Sequence, residues 1–287
     1  MGFLDRFGRT RFRHAWKLTA QGVIWRLVPA PGDLLVGEER DTDSKTTFHF
    51  CVDLPTGKRL WRNPAPGEPW WVGVEAVHRD VVTLHRFAKP DMPEHRGVVV
   101  LDTRTGALLW EDPASHLLLA AGDRLFTGRP TYAGRAIREV HYRTGAELRD
   151  WGLDPSGLQA AAREPEASDL PEPVLPVPAA LHRGGSPDAL RRALALLPPG
   201  TDTRSVDAAA WGNLLVLQAH VCLPGHTPAA PAYRNELRLH RAADGEALGT
   251  EVLDANVRAV VPSSFMLLGG RLLFVRERKT LVCIAAG

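Results

Sequence analysis

Short runs of apolar residues alternate with polar, glycine-containing turns along most of the chain. Runs of this kind predict β-strands joined by tight turns rather than long amphipathic helices. The pattern is therefore typical of an all-β protein. The first such runs are Gly22–Val28, Asp33–Gly37, Trp70–Val74, Asp80–Leu84, Leu117–Ala121 and Arg124–Thr127.

One nine-residue pattern occurs twice and has the features of a β-hairpin. Asp53–Trp61 (DLPTGKRLW) and Asp102–Trp110 (DTRTGALLW) are offset by 102 − 53 = 49 residues, and weaker copies stand at Val140–Leu148 and Leu237–Leu248. The Thr-Gly pair supplies a position that accepts a positive φ angle, and the leading Asp can accept hydrogen bonds from turn amides. We expect the closing Trp to bury its ring against the neighbouring unit.

The strands group into repeating units. Four strands in about 40–50 residues is the period of a β-propeller blade. The last unit lacks a fourth strand, whereas His14–Leu18 is a strand that has no unit of its own. We therefore predict an all-β fold, a β-propeller of about five four-stranded blades that is closed by the N-terminal strand. The predicted blades are 22–64, 69–112, 115–151, 205–253, and 256–287 with 12–20.

The segment 152–204 differs from the blades in composition and is predicted to be an insertion. Five prolines between Pro165 and Pro178 exclude a central strand there. A helix follows, for which Ser186 is the predicted N-cap and Pro187 the first residue. Leucines on one face of this helix should pack back onto the blades, as a structural plug or cap.

Composition and charge limit the classes of function that the chain can have. The net charge of +2 argues against a general nucleic-acid binder. The three cysteines are odd in number and lack a CxxC spacing, which excludes a disulfide framework and a structural zinc site built on thiolates. Cys51 and Cys283 are interpreted as core residues. No transmembrane segment is predicted, and residues 1–11 are interpreted as a basic tail rather than a signal peptide. We expect a single propeller domain over 12–287 in the cytoplasm.

The hairpin pattern Asp-x-x-Thr-Gly-x-x-Leu-Trp resembles the repeats of quinoprotein-like (PQQ-like repeat) β-propellers. Further segments and the C-terminal Ser-Ser-Phe-Met-Leu-Leu run resemble a bacterial family of unknown function. The resemblance weakens over 152–204; it implies a propeller without an established activity and adds no catalytic residue. A quinone cofactor is not expected, because the chain has too few blades and no adjacent cysteines. The segments that carry the resemblance are Gly37–Asp41, Glu68–Glu75 and Phe87–Gly97.

Two polar segments at equivalent positions of the first two blades, 37–45 and 87–97, are the candidate ligand-binding loops. Polar loops on a rigid scaffold are where binding residues concentrate. Equivalent positions should place both loops on one face, where their carboxylates would form an acidic patch. The candidate binding residues are Glu38, Glu39, Arg40, Asp91, Glu94, His95 and Arg96.

Two further groups are interpreted as structural. In a strand, adjacent side chains face opposite sides, so one of Trp70 and Trp71 should fill the core between blades. The other either packs on the other adjacent blade, the favoured interpretation, or is exposed as a stacking platform. His78, His85 and His95 are the histidines near one blade, and their spacing matches no metal-binding motif. No metal site and no cofactor are therefore expected.

These observations predict a non-catalytic binding or scaffold module of uncharacterised function, with a protein as the expected kind of partner. The alternative is a glycan-acting hydrolase that uses carboxylates of the same loops as general acid and base. The arrangement of Glu38, Asp91 and Glu94 distinguishes the two. A concave pocket with one raised carboxyl pKa favours the enzyme, whereas a flat face with an apolar centre favours a protein partner.

Overall fold

The computed structural model describes residues 14–89, 92–164, 171–182 and 186–285. The predicted tail over 1–11 and the candidate residue Asp91 lie outside this part of the chain. The described residues divide into two compact units. The central unit lies within Ala20–Glu172, and the terminal unit combines the described residues of Met1–Thr19 and Pro173–Gly287.

Nearly all regular structure in the described residues is β-strand, as the sequence predicts. The helices are α1 Ser156–Ala161 and α2 Pro187–Ala195, with single 3₁₀ turns at Ala179–Leu181 and Thr203–Ser205. The strands in chain order are β1 His14–Thr19, β2 Val23–Ala30, β3 Leu34–Asp41, β4 Thr46–Asp53, β5 Arg59–Pro64, β6 Val72–His78, β7 Val81–Lys89, β8 Met92–Asp102, β9 Leu108–Asp112, β10 His116–Ala121, β11 Arg124–Thr131, β12 Gly134–His141, β13 Glu147–Gly152, β14 Val177–Pro178, β15 Asp207–Trp211, β16 Leu214–Cys222, β17 Tyr233–Arg241, β18 Ala247–Val257, β19 Phe265–Leu268, β20 Arg271–Arg276 and β21 Thr280–Ala285.

The central unit contains three four-stranded antiparallel sheets, each made of consecutive strands: β2–β5, β6–β9 and β10–β13. Each sheet coincides with one of the predicted four-stranded units. Buried valines, leucines and Trp61 pack between the first two sheets and form a continuous apolar core. Burial of such side chains is the main favourable contribution to folding.

The terminal unit contains two sheets, with strand orders β1-β21-β20-β19 and β14-β15-β16-β17-β18. Strand β1 pairs antiparallel with β21, with His14 opposite Ile284 and Thr19 opposite Thr280. The prediction that the N-terminal strand completes the last sheet is therefore confirmed. The proline-rich segment adds the two-residue edge strand β14, a position that tolerates the missing amide of Pro178.

The repeated hairpins have the predicted turn chemistry. Asp53 Oδ1 accepts hydrogen bonds from the Thr56 amide at 3.1 Å and from the Thr56 hydroxyl at 2.5 Å. Asp102 bonds the Thr105 amide and hydroxyl in the same way, at 2.9 and 2.8 Å. The following Gly106 has φ +69°, a conformation that only glycine adopts without strain.

Each repeat Trp in the central unit packs on the turn of the next sheet, as the sequence predicts. The Trp61 indole donates to the Thr103 carbonyl at 2.8 Å, and the Trp110 indole donates to the Tyr142 carbonyl at 3.0 Å. A Cβ atom added at Gly106 would lie 2.5 Å from the Trp61 ring. The turn glycine therefore serves two purposes, because it accepts a positive φ angle and leaves space for the preceding Trp.

The insertion supplies one helix to each unit. In the central unit, α1 packs on Trp151 as the hairpin turns pack on Trp61 and Trp110. A Cβ atom added at Gly157 would lie 2.2 Å from the Trp151 ring. In the terminal unit, α2 covers the turn at Gly245. A Cβ atom added at this glycine would lie 2.4 Å from the Ala189 carbonyl oxygen. The predicted N-cap of α2 is confirmed, since the Ser186 hydroxyl accepts from the Ala189 amide. Helix α1 was not predicted from the sequence.

The two cysteines in apolar strands are core residues, as expected. Cys51 and Cys283 are free thiols with no exposed surface. Burial raises the pKa of Cys51 to about 12 and that of Cys283 to about 11. Neither thiol is therefore a reactive nucleophile at neutral pH. Within the described residues, no helix has the length and apolarity to cross a bilayer.

Candidate functional site

The two predicted loops are largely strand. β3 continues to Asp41 and β4 starts at Thr46, so only residues 42–45 form a turn. In the second segment, Phe87 pairs with His95 and Arg86 pairs with Arg96. The prediction of a loop over 87–97 was therefore wrong: the described polar side chains stand on the paired ends of β7 and β8, the two central strands of their sheet.

The predicted acidic patch is absent at the first segment, because Glu38 and Glu39 are buried, with 2% and 0% of their surface exposed. Arg40 Nε donates to Glu38 Oε1 at 2.7 Å. The Arg62 guanidinium donates two hydrogen bonds to Glu39, both of 2.9 Å. The Gly22 amide adds a third bond to Glu39 at 2.6 Å. These carboxylates therefore hold the sheet together and present no negative surface.

At Glu39, this arrangement does not support the role of general acid in a glycan hydrolase. A general acid at neutral pH needs a carboxyl group whose pKa is raised. Burial alone would raise the pKa of Glu39, but the Arg62 guanidinium and the Gly22 amide outweigh it and lower that pKa. Glu39 is therefore a fixed anion.

An aromatic and cationic surface takes the place of the expected acidic one. The Arg40 guanidinium lies 5.3 Å from the ring centre of Trp25 and 5.2 Å from that of Trp70, within cation–π distance. The Lys45 ammonium lies 4.9 Å from the Trp70 ring. We call Trp25, Arg40, Lys45, Trp70 and Trp71 the aromatic–cationic patch.

The two adjacent tryptophans are not in the core, contrary to the sequence interpretation. Trp71 is 37% exposed, and β6 begins only at Val72. The physical cause is a turn: one oxygen of the Glu68 carboxylate accepts from the amides of both Trp70 and Trp71 at 2.9 Å. This cap holds the tryptophans outside the sheet and directs them to the surface.

The tryptophans link the two predicted segments into one surface. Trp70 faces Arg40 and Lys45 of the first segment. Trp71 packs edge to face on Phe87 of the second segment, with ring centres 6.4 Å apart. His95 of the second hairpin packs edge to face on Phe87, with ring centres 5.6 Å apart, and the side chains of Glu94, His95 and Arg96 are exposed.

A second group lies beside this surface and was not expected from the sequence. One Glu75 carboxylate oxygen lies 2.8 Å from His85 Nδ1 and 2.7 Å from His95 Nδ1. The two imidazoles stack in parallel, with ring centres 3.6 Å apart and planes within 6°. We call Glu75, His85 and His95 the His–Glu–His cluster. Burial raises the pKa of Glu75, but the two imidazoles outweigh it, so the net pKa is lowered.

Local irregularities of the sheet bring the three side chains together. Glu75 is the extra residue at a bulge, because Val74 pairs with Leu84 and Ala76 with Thr83. A further irregularity in β8 accompanies Gly97, whose φ is +77°. Bulges redirect side chains and are common beside functional sites.

The sequence contains a regular spacing for this cluster, but the spacing differs from that of the metal-binding motifs found on helices. Glu75, His85 and His95 are spaced by ten residues each, one on each of three consecutive strands. In an antiparallel meander, residues placed at similar distances from successive turns become neighbours across the sheet. Helical metal motifs such as HExxH cannot detect this arrangement.

A third histidine, His49, is buried close to these groups. It is 1% exposed, and neither ring nitrogen has a hydrogen-bond partner among the described residues. Burial is the main cause that lowers its pKa to about 3, and the charges of Arg40 and His85 add to the effect. His49 is therefore neutral in the folded protein.

We expect this histidine to make the protein sensitive to mild acid. The folded-state pKa of about 3 lies below the ordinary value of 6.5, so between these values the unfolded chain binds the extra proton. Lowering the pH from 7 to 5 should remove about 2 kcal/mol of stability through this group alone. Urea unfolding of the wild type and His49→Phe at both pH values tests this. Equal losses in the two proteins would contradict it.

Comparisons with known proteins place this surface in a region of unassigned function. Residues 30–110 match the family model "Domain of unknown function (DUF4905)". The matched part of the chain includes Arg40, Trp70 and the whole His–Glu–His cluster, and it agrees with the expected resemblance to a family of unknown function. No curated protein matches the chain.

Solved structures that the chain resembles have low identity. BamB from Moraxella catarrhalis is 8% identical, with 96% of this chain and 97% of that chain covered and a TM-score of 0.27. The β-propeller domain of the Trilobed protease from Pyrococcus furiosus is 9% identical, with 89% and 63% covered and a TM-score of 0.30. Acylaminoacyl peptidase from Pyrococcus horikoshii is 11% identical, with 90% and 36% covered and a TM-score of 0.30. We take no ligand or activity from these similarities.

Proposed function

We propose that the chain is a non-catalytic binding module that takes a protein partner on the aromatic–cationic patch and the adjoining hairpin of residues 87–97. The proposal keeps the interpretation of the sheets as blades of a β-propeller. It places the protein in the cytoplasm, where buried thiols such as Cys51 remain reduced.

The observation that carries the proposal is the exposure of tryptophan beside arginine at one place. Trp25 is 60% exposed and Trp71 is 37% exposed, although both are large apolar side chains. Tryptophan and arginine are enriched among the residues that dominate protein–protein binding energies. Arg40 is held between two indole rings and bonded to Glu38, so little side-chain entropy remains to be lost when a partner binds.

The candidate residues divide into two roles under this proposal. Glu38 and Glu39 are positioning residues, because they are buried and hold the strands that carry the patch. Glu94, His95 and Arg96 are exposed and available to contact a partner, whereas Arg40, with a side chain only 11% exposed, would contact it through the edge left open between Trp25 and Trp70. Asp91 belongs to the same hairpin in sequence and is proposed with them.

Affinity capture with Trp25→Ala/Trp71→Ala tests the proposal. A protein captured by the wild type and confirmed with purified components should bind the double variant at least tenfold more weakly, because losing an aromatic anchor costs about 1–2 kcal/mol or more. Both side chains are exposed, so the fold should remain intact by circular dichroism.

Tyr132→Ala is the matched control, since Tyr132 is a fully exposed aromatic residue of the same unit, on a different hairpin. The control should bind like the wild type. An unchanged affinity of Trp25→Ala/Trp71→Ala, or an equal loss in the control, would refute the proposed face.

A further inference from the structure

The geometry points to a binding site for a divalent transition-metal ion of the zinc class at Glu75, His85 and His95. The candidate ligand atoms of the three side chains lie within 4.8 Å of one another. They come from three neighbouring strands of one sheet, so the backbone fixes their relative positions. This inference goes beyond the proposed function and does not depend on it.

The ligand types fit this class of ion. Zinc is bound by imidazole nitrogen at about 2.0–2.1 Å and by carboxylate oxygen at about 2.0–2.2 Å. Two histidines and one carboxylate are a common set for zinc that keeps a further position open to water or another ligand. Magnesium and calcium prefer oxygen ligands throughout, so the two imidazoles disfavour them.

The buried histidine is the second observation that favours a ligand. The side chain of His85 is 8% exposed, and neither of its ring nitrogens makes a hydrogen bond of regular geometry in the described part of the chain. Its Nδ1 lies 2.8 Å from the Glu75 oxygen but outside hydrogen-bond alignment. An unsatisfied buried polar group is costly, and a coordinated ion would satisfy this one.

The surroundings provide space and access. A Cβ atom at Gly73 would lie 3.2 Å from His85 Cε1, so glycine there leaves room for the imidazole. Phe87 packs edge to face on His85 and His95, with ring centres 5.0 and 5.6 Å apart, which restrains both rings. His95 is 40% exposed, so an ion can enter from solvent on that side.

Only a small movement is needed to admit the ion. Around a tetrahedral zinc ion the ligand atoms are separated by roughly 3.4 Å, given the bond lengths above. The present separations from the Glu75 oxygen are 2.8 Å to His85 and 2.7 Å to His95. Rotation of the Glu75 and His95 side chains, which are 26% and 40% exposed, can supply both differences, while the buried His85 stays in place.

Metal titration of the full chain, freed of any affinity tag and of metal by chelator, tests the inference. Calorimetry with Zn²⁺ should show one tight site per chain, and Co²⁺ should produce the visible absorption of a tetrahedral nitrogen–oxygen site. His95→Ala and Glu75→Gln should each weaken Zn²⁺ binding at least 100-fold. Mg²⁺ should not compete.

His78→Ala is the matched control, because His78 lies in the same sheet and its ring bonds a carbonyl outside the cluster. It should bind Zn²⁺ like the wild type. The variants are placed at His95 and Glu75 because a substitution of the buried His85 could disturb folding. Three results would each overturn the inference: no Zn²⁺ binding by the wild type, equal competition by Mg²⁺, or equal weakening by His78→Ala. The three side chains would then be only an ion-paired stack.

Discussion

Arg62→Met is expected to lower the free energy of unfolding by about 3–5 kcal/mol, because it leaves a buried carboxylate without its cation. Glu39 has no exposed surface and accepts two hydrogen bonds from the Arg62 guanidinium. Methionine keeps an unbranched side chain that can pack on the Phe48 ring, whose centre lies 3.5 Å from the Arg62 guanidinium carbon. The loss therefore measures the uncompensated charge.

The double variant Glu39→Gln/Arg62→Met is the control for this explanation. Glutamine keeps an acceptor for the Gly22 amide, which donates to Glu39 at 2.6 Å, but carries no charge. The double variant should therefore be more stable than Arg62→Met alone, as urea unfolding curves would show. A loss below about 1 kcal/mol in Arg62→Met, or a double variant that is no more stable, would contradict the assigned role.

Gly106→Ala is expected to cost about 2–4 kcal/mol, from a positive φ angle and from overpacking. The new Cβ atom would lie 2.5 Å from the Trp61 ring, which is 8% exposed and bonded to the Thr103 carbonyl. Movement of the buried indole away from the new atom would strain that bond. Thermal and urea unfolding measure the loss.

Gly122→Ala separates the two contributions. Gly122 also has a positive φ, +56°, but nothing lies within 4 Å of its added Cβ atom. It should therefore lose only the conformational part, about 1 kcal/mol. If both variants lose the same amount, the contact between the turn glycine and the preceding tryptophan contributes no stability.

The hairpins and the sheets were predictable because their signals are local. A nine-residue segment such as Asp102–Trp110 contains the turn glycine, the capping carboxylate and the tryptophan, and each acts within its own hairpin or on the next one. The pairing of β1 with β21 followed from the missing strand of the last unit. Helix α1 was missed because it has only six residues and its N-cap, Pro155, makes no side-chain cap hydrogen bond.

The two segments predicted to share one face lie close together, but Glu38 and Glu39 of the first segment are buried and are not part of an exposed acidic patch. The segments 37–45 and 87–97 meet at one surface through Trp70 and Trp71. Sequence reasoning treated Glu38 and Glu39 as surface charges, since carboxylates at strand ends are usually solvated. Burial depends on partners from elsewhere in the chain, such as Arg62, which sequence spacing does not indicate.

The sequence by itself determined the all-β class, the strand order in the four-stranded sheets and the turn geometry, because glycine, aspartate and tryptophan impose them over a few residues. Only the tertiary structure decided which charges are buried and which side chains converge. The His–Glu–His cluster depends on a bulge at Glu75 and an irregular register near Gly97, and the aromatic–cationic patch depends on a turn capped by Glu68. A shift of one residue in register reverses the side on which a strand residue lies, so such clusters are defined only once the strands have paired.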